Sequence, residues 1–176
     1  MAENNALSDF TTYICNLCRA HVELKHTSSS KHFIELNSNE QMENQRQAVY
    51  PLVAMEKLTV SYTGLNDAVR KSRYCEIMFL NKVTSNGDFA AVQAVKDAME
   101  AIAEDFLKKM KIDKRSRLYP FLKCLELSNI ELNFIENESI NLHGVLLSLN
   151  FDLPFIETLE AGRFDDTVLF PPVPES

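Results

Sequence analysis

Residues 140–155 read INLHGVLLSLNFDLPF, and few folds accommodate such a stretch. Val145, Leu147, Leu149, Phe151 and Leu153 fall on one parity, while the other passes from Leu146 to Ser148, Asn150 and Asp152. A period of two belongs to a strand with one face on a core and one on water. At about 3.3 Å per residue, roughly 14 such residues reach ~45 Å, against about five or six residues in a usual strand. Pro154 stops the pattern, and Gly144 marks a bulge or a close backbone approach near its start. The expectation is a strand that completes a sheet, with length beyond core needs that can pair with or pack on a neighbouring subunit.

The rest of the chain supplies the other layers. Leu7, Phe10, Ile14, Leu17, His21 and Leu24 recur at steps of three and four, which predicts an amphipathic helix from about Ser8, its N-cap, to Leu24. HFIEL (32–36) predicts a short strand, and the amide-rich NSNEQMENQRQ centres an exposed polar loop over 37–49. In YPLVAMEKLTVSYT, Leu52, Ala54, Leu58, Val60 and Tyr62 share a parity that Glu56 interrupts, with Pro51 tolerable at a strand start or edge. GLND (64–67) turns the chain into RYCEIMFLNKV (73–83), a strand with Cys75, Ile77 and Phe79 inward. Its other face carries Tyr74, Met78 and Leu80, so both sides are expected to be covered. Asp88 caps a second helix whose stripe is Val92, Val95, Met99, Ile102, Phe106 and Met110, ending near Lys111 after ~35 Å. Lys96, Glu100, Glu104 and Lys108 form its solvated face, with Glu104 and Lys108 in the favourable i,i+4 order. KIDKRSR reads as a basic connection, residues 119–137 as strand in pieces, and ENES as a turn. The order of elements predicts an α+β fold. It is one domain over 1–155, with a mainly antiparallel or mixed sheet, two main helices packed on it, and an extended C-terminal arm over 156–176.

The totals bound the function. A chain of 176 residues with 45% apolar content buries a core of its own. Its net charge of -7 disfavours a phosphate grip, which relies on clustered Lys and Arg. Neither a basic leader with an apolar run nor a stretch of about 18 apolar residues occurs, so the expectation is a soluble protein of the cytosol in which it is made. No GxGxxG, GxxxxGK, GxSxG or HExxH is present, and four glycines leave little with which to shape a phosphate loop. Glu136 with Glu138, and Asp165 with Asp166, read as solvating acids rather than a catalytic dyad. No enzyme and no cofactor is expected.

CNLCRAHVELKH brings Cys15, Cys18, His21 and His26 together, four residues of the two types that zinc most often uses. Structural CxxC pairs usually sit on a tight turn, whereas this pair lies inside a helical stripe that Leu17 and Leu24 need for the core. The cysteines, Cys75 and Cys124 included, are therefore expected to be reduced and structural. A redox CxxC fits less well, since the helix starts upstream of it. His21 is expected to be a partly buried helix residue, and His143 a surface or interface histidine.

The leading helix, YPLVAMEKL, RYCEIMFLNKV, the long helix GDFAAVQAVKDAMEAIAEDFLKKM and the closing INLHGVLLSLNFDLPF together resemble the tail-terminator or tail-completion proteins of tailed bacteriophages and their relatives in the neck. The resemblance covers about residues 7–155 and lies in order and hydrophobic pattern. It implies a sheet packed on helices and self-assembly into a ring, usually hexameric, at the tail or neck of the virion. It also implies docking to tail-tube and neck or connector proteins, DNA passing the lumen without specific binding, and no membrane. The family brings no catalytic residues. Phe155, Phe164, Phe170, His143 and Asn150 are the candidate protein-interface residues, with Phe164 and Phe170 anchoring the arm, since aromatic residues dominate interface energy. A monomeric protein-binding adaptor is the alternative class, and an enzyme a weaker one.

Overall fold

The structure, a computed structural model, describes residues 6–36, 48–56, 58–63 and 70–154. It is an α+β domain. The described elements are helix α1 (Ala6–Ala20) and strands β1 (Lys31–Leu36), β2 (Ala48–Glu56), β3 (Thr59–Thr63) and β4 (Arg70–Lys82). Helix α2 (Phe89–Ser116) and strands β5 (Leu125–Asn137) and β6 (Leu142–Pro154) complete them. Short 3-10 turns at Pro120–Cys124 and Glu138–Ile140 lead into β5 and β6. The polar loop around 37–47 and the arm beyond Pro154 lie outside the described residues, but Ala48 and Val49, expected in that loop, belong to β2.

The sheet runs β1-β2-β4-β6-β5, with β3 pairing β4 beyond the end of β2. It is mixed, because β1 lies parallel to β2 while the other pairs are antiparallel. β6 does not finish the sheet, as its length suggested; it is an interior strand. All 13 of its residues pair with β4, from Leu142 opposite Lys82 to Pro154 opposite Arg70, and β5 takes its other edge. The extra length is absorbed inside the molecule by an equally long neighbour.

β6 keeps its predicted alternation: Val145, Leu147, Leu149 and Phe151 are buried. With Cys75, Ile77 and Phe79 of β4 and Val53 and Met55 of β2, they form the floor on which both helices pack. α1 contributes Phe10, Tyr13, Ile14 and Cys18, and α2 contributes Met99, Ile102, Ala103, Phe106 and Met110. Phe10 meets Phe151 edge-on at 4.8 Å between ring centroids, and Phe106 meets Phe79 at 5.1 Å. Burying each of these rings is worth about 1.5–3 kcal/mol, so the four fix both helices on the sheet.

The helices differ from expectation at their ends. α1 begins at Ala6, so Ser8 sits in its first turn rather than capping it, and it stops at Ala20, four residues before the still-buried Leu24. Asp88 does cap α2, accepting from the Ala91 amide at 3.0 Å. That helix runs on through KIDKRS to Ser116, where Arg117 at φ 57 ends it in the left-handed region. The basic connection is therefore the last turns of the helix. They are held by Asp113, a buried carboxylate that accepts hydrogen bonds from Tyr13 Oη of α1 at 2.9 Å and from Lys109 Nζ.

Two strand features were not foreseen. Met55 stands opposite Ile77 and Thr59 opposite Tyr74, so four steps along the first strand match three along β4. One extra residue flips every later side chain to the other face. Leu52 and Ala54 therefore face away from the helices, whereas Val60 and Tyr62 pair with Arg73 and Lys71 on the helix side; the shared parity expected of these residues fails at the Glu56 interruption. β4 also begins three residues early, at Arg70. On the far side of the sheet, Ile34, Leu52, Ala54 and Leu80 make a second small cluster bordered by Met78, Ile135 and Leu142, and Tyr74 is exposed. The outer face of β4 is thus covered over its second half only.

Candidate functional site

Among the described residues, one surface that the core does not claim is the ribbon where β3, the first half of β4 and the end of β6 run side by side. All five residues of β3, TVSYT, are exposed. Thr63, Arg70 and Pro154 form one row across it, and Thr59, Tyr74 and Asn150 another. No strand among the described residues pairs the other edge of β3. That edge carries no charge and no proline, the two devices that most often guard an open strand.

The ribbon is electrically two-sided. On the helix side, alternation places Lys71 and Arg73 beside Tyr62 and Val60, with Lys71 Nζ 5.9 Å from the Tyr62 ring centroid. On the opposite side stand Glu76, Glu126, Glu131 and Asp152 around Tyr74, Ser148 and Asn150. Arg70 answers one of these acids, 3.0 Å from Asp152. The Tyr74 hydroxyl is hydrogen-bonded to Glu76 and to Ser148 at 3.1 Å, and the Glu76 carboxylate raises its pKa. A second charged surface is the end of α2, where Lys108, Lys111, Arg115 and Arg117 surround exposed Ile112 and Leu118.

Of the candidate interface residues, Asn150 lies on this ribbon, exposed, between Tyr74 and Glu126. His143 does not. It is 3% exposed, with Nε2 2.8 Å from Asn86 Oδ1 and Nδ1 3.9 Å from a Glu136 carboxylate oxygen. Asn86 donates its amide to the Glu138 carbonyl at 2.7 Å, which fixes its Oδ1 as the acceptor from the imidazole. The histidine is therefore an internal tie between β6 and the loop before α2, not a surface residue. Its partner 57 positions away could not be read from the sequence. Phe155, Phe164 and Phe170 lie outside the described residues.

The cysteine and histidine group near α1 serves packing and loop closure. Cys18 is wholly buried in the core, and burial pushes its thiol pKa well up. His26 Nδ1 accepts from the amides of His32 and Phe33 at 3.0 and 3.1 Å, and desolvation, then Arg19, His32 and Lys31, lower its pKa. His32 Nδ1 meets the Pro51 carbonyl at 2.7 Å. Cys75 is wholly buried, its thiol pushed up to about 12 by burial and then by Glu56, Glu76 and Glu35. Among the described residues no group of three or more His, Cys, Asp and Glu is arranged to hold a metal ion. Glu136 is engaged by Lys96 at 3.1 Å on the helix side of β5. The exposure of β3 along its whole length was not read from the sequence. The signal for it is the uncharged TVSYT set opposite RKSRY after a register slip, visible only when both segments are taken as one ribbon.

Compared with known proteins, the chain matches no family model and no curated protein sequence.

Proposed function

We propose that this protein is a structural subunit that assembles with copies of itself into a ring at the tail or neck of a tailed bacteriophage, as a tail terminator or head-tail connector. The observation that carries the reading is β3: a strand exposed at all five positions, with neither charge nor proline among them, on a sheet that β1 and β5 close at its two ends. Exposed strands without these guards readily pair or pack with another chain. Charge supports head-to-tail contact, because the carboxylates around Asn150 and the cations around Ile112 lie on opposite layers of one subunit. Heterologous contacts of complementary surfaces close into rings when the rotation between copies allows it. A net charge of -7 suits a lumen that DNA slides through, since an acidic wall repels phosphates. Partners in this role are tail-tube and neck or connector proteins, and no helix among the described residues is long and apolar enough to cross a membrane.

Sedimentation velocity over a rising concentration series, paired with negative-stain images, tests the reading. Rings, alone or with a tail or neck protein, are expected, and added salt should weaken them because the contact is partly electrostatic. A strict monomer at high concentration that also joins no tail or neck protein refutes it and favours the monomeric adaptor.

A further inference from the structure

We propose that the C-terminal end of α2 docks on the outer, carboxylate-bearing face of the sheet in a second copy of this chain. This rests on the self-assembly reading above and deepens it by naming the two surfaces that meet. The first surface is apolar and cationic. Ile112 and Leu118 are 58% and 70% exposed, and exposed Tyr119 follows them. Lys111, Arg115, Arg117 and Lys123 are exposed too, and among the described residues none of the four enters an ion pair. Asp113, the only acid between Asp105 and Glu126, is buried and held by Lys109. Lys111, Ile112 and Arg115 share the side of α2 opposite buried Phe106, Met110 and Asp113, and so turn away from the sheet. Cations in a last turn complement the helix dipole, but that leaves the exposure of Ile112 and Leu118 without a reason.

Charge names the occupant. On the face of the sheet turned away from both helices, successive rows across β4, β6 and β5 each bring an acid forward. Asp152 stands beside Ser72, Glu126 in the row of Tyr74 and Asn150, and Glu76 and Glu131 on either side of Ser148. Among the described residues, Asp152 alone of these four acids is answered by a cation, Arg70. Rows two residues apart repeat every ~6.6 Å along a strand, and four residues of helix advance ~6 Å. Lys111 and Arg115 are four apart, so a helix laid along the strands sets successive cations against successive carboxylate rows, with Ile112 over the exposed Tyr74. The carboxylates and the outer side of α2 lie on opposite layers of one subunit, so no single chain can close this contact on itself and a second copy must supply the other half. Exposed ion pairs taken singly add little. The apolar residues therefore hold the contact, and the charges set its direction and its partner.

The test uses full-length protein and sedimentation velocity at low salt. One chain carries Lys111→Glu with Arg115→Glu, another Glu126→Lys with Glu131→Lys, so that each has one surface reversed. Like charges then meet, and the concentration at which either chain alone assembles should rise about tenfold or more. Mixing the two chains in equal amounts restores opposite charges at every contact and should bring assembly back to about the unsubstituted concentration. A Lys111→Gln, Arg115→Gln chain, which places no acid against the helix dipole, should show a smaller rise in the same direction, and far-UV circular dichroism checks that each chain is folded. Three results overturn the proposal: both reversed chains assembling as readily as the unsubstituted protein, a loss that mixing does not restore in folded chains, or a neutralised chain that assembles unchanged. Each of these leaves ring assembly standing through another surface. An unsubstituted chain that stays monomeric at every concentration removes the self-assembly reading and the docking together. Restoration by mixing in particles that are open filaments supports the docking and removes the ring.

Discussion

Replacing Gly144 by alanine tests the most demanding contact in the fold. A Cβ built there lies 1.9 Å from the Phe79 carbonyl oxygen, 2.9 Å from its carbon and 3.1 Å from Leu80 Cα, all of them backbone. No side chain can swing aside to make room, so β4 and β6 must separate by more than 1 Å, on the order of a quarter of their ~4.8 Å spacing. Separation of that size takes about two ladder hydrogen bonds past their working length. Each is worth about 1 kcal/mol when made and costs about 1–3 kcal/mol when its groups are left buried and unpaired. Phe79 itself is wholly buried against Phe106, so the displaced backbone also disturbs packing, at about 1–3 kcal/mol. The reduced freedom of alanine in the unfolded chain returns only about 0.4–1 kcal/mol. The net expectation is a loss of about 3–5 kcal/mol, a large part of the roughly 5–15 kcal/mol typical of a domain. In urea, followed by far-UV circular dichroism because the chain has no tryptophan, the midpoint should fall by roughly 1.5–2.5 M for an m-value of about 2 kcal/mol/M. Gly87→Ala is the internal control: its nearest neighbour would be the Ser85 hydroxyl at 3.5 Å, and the change should stay within about 0.5 kcal/mol. A Gly144→Ala protein as stable as this control would refute the close approach.

Three further outcomes are expected. Tyr13→Phe strips the buried Asp113 carboxylate of a partner, leaving Lys109, and should cost about 1–3 kcal/mol in urea unfolding; an unchanged midpoint would show the tie between the helices to be idle. His26 has a depressed pKa in the fold, so below about pH 6.5 the unfolded chain binds more protons and stability falls as pH falls, by at most about 1.4 kcal/mol per pH unit; His26→Gln should flatten this dependence, and an equally steep profile in the variant would dismiss the cause. Under native conditions N-ethylmaleimide should modify Cys15 and Cys124 well before Cys18 and Cys75, which are buried with raised thiol pKa, whereas equal rates for all four would contradict their burial.

What the sequence disclosed divides along physical lines. The α2 stripe from Val92 to Met110 and the β6 alternation were legible because each is a local period repeated often enough to outweigh exceptions. The position of β6 in the sheet was not, since length says nothing about how many neighbours a strand has; only the 13-residue match with β4 shows why it is long. The slip between Met55 and Thr59 was hidden because one inserted residue leaves composition untouched while exchanging faces. His143 was misjudged for the opposite reason. Its alternation alone would have put it inward with Val145, but a polar residue reads as exposed until a partner such as Asn86 is known. Of the two candidate interface residues among those described, Asn150 stands on the exposed ribbon and His143 does not, and β3 was recognised as a strand without its full exposure.

The interior position of β6 also sets an order of events for a growing chain. Its contacts with β4 join residues as far apart as Lys82 and Leu142, or Arg70 and Pro154, 60 and 84 positions away, while α2 and the β3–β4 pair close over short distances. Pairings across such separations form late, because the loop must be closed before any bond rewards it. A nascent polypeptide that has emerged only as far as Asn137 therefore holds β4 and β5 with the strand that belongs between them still missing, each with a bare flank. Until β6 inserts, such an intermediate offers more strand edges to a passing chain than the described sheet, in which β6 covers a flank of both β4 and β5. Timing of synthesis, not only affinity, would then separate orderly joining of subunits from tangling, and chaperones that shelter β4 and β5 through that interval should raise the yield of assembled particles.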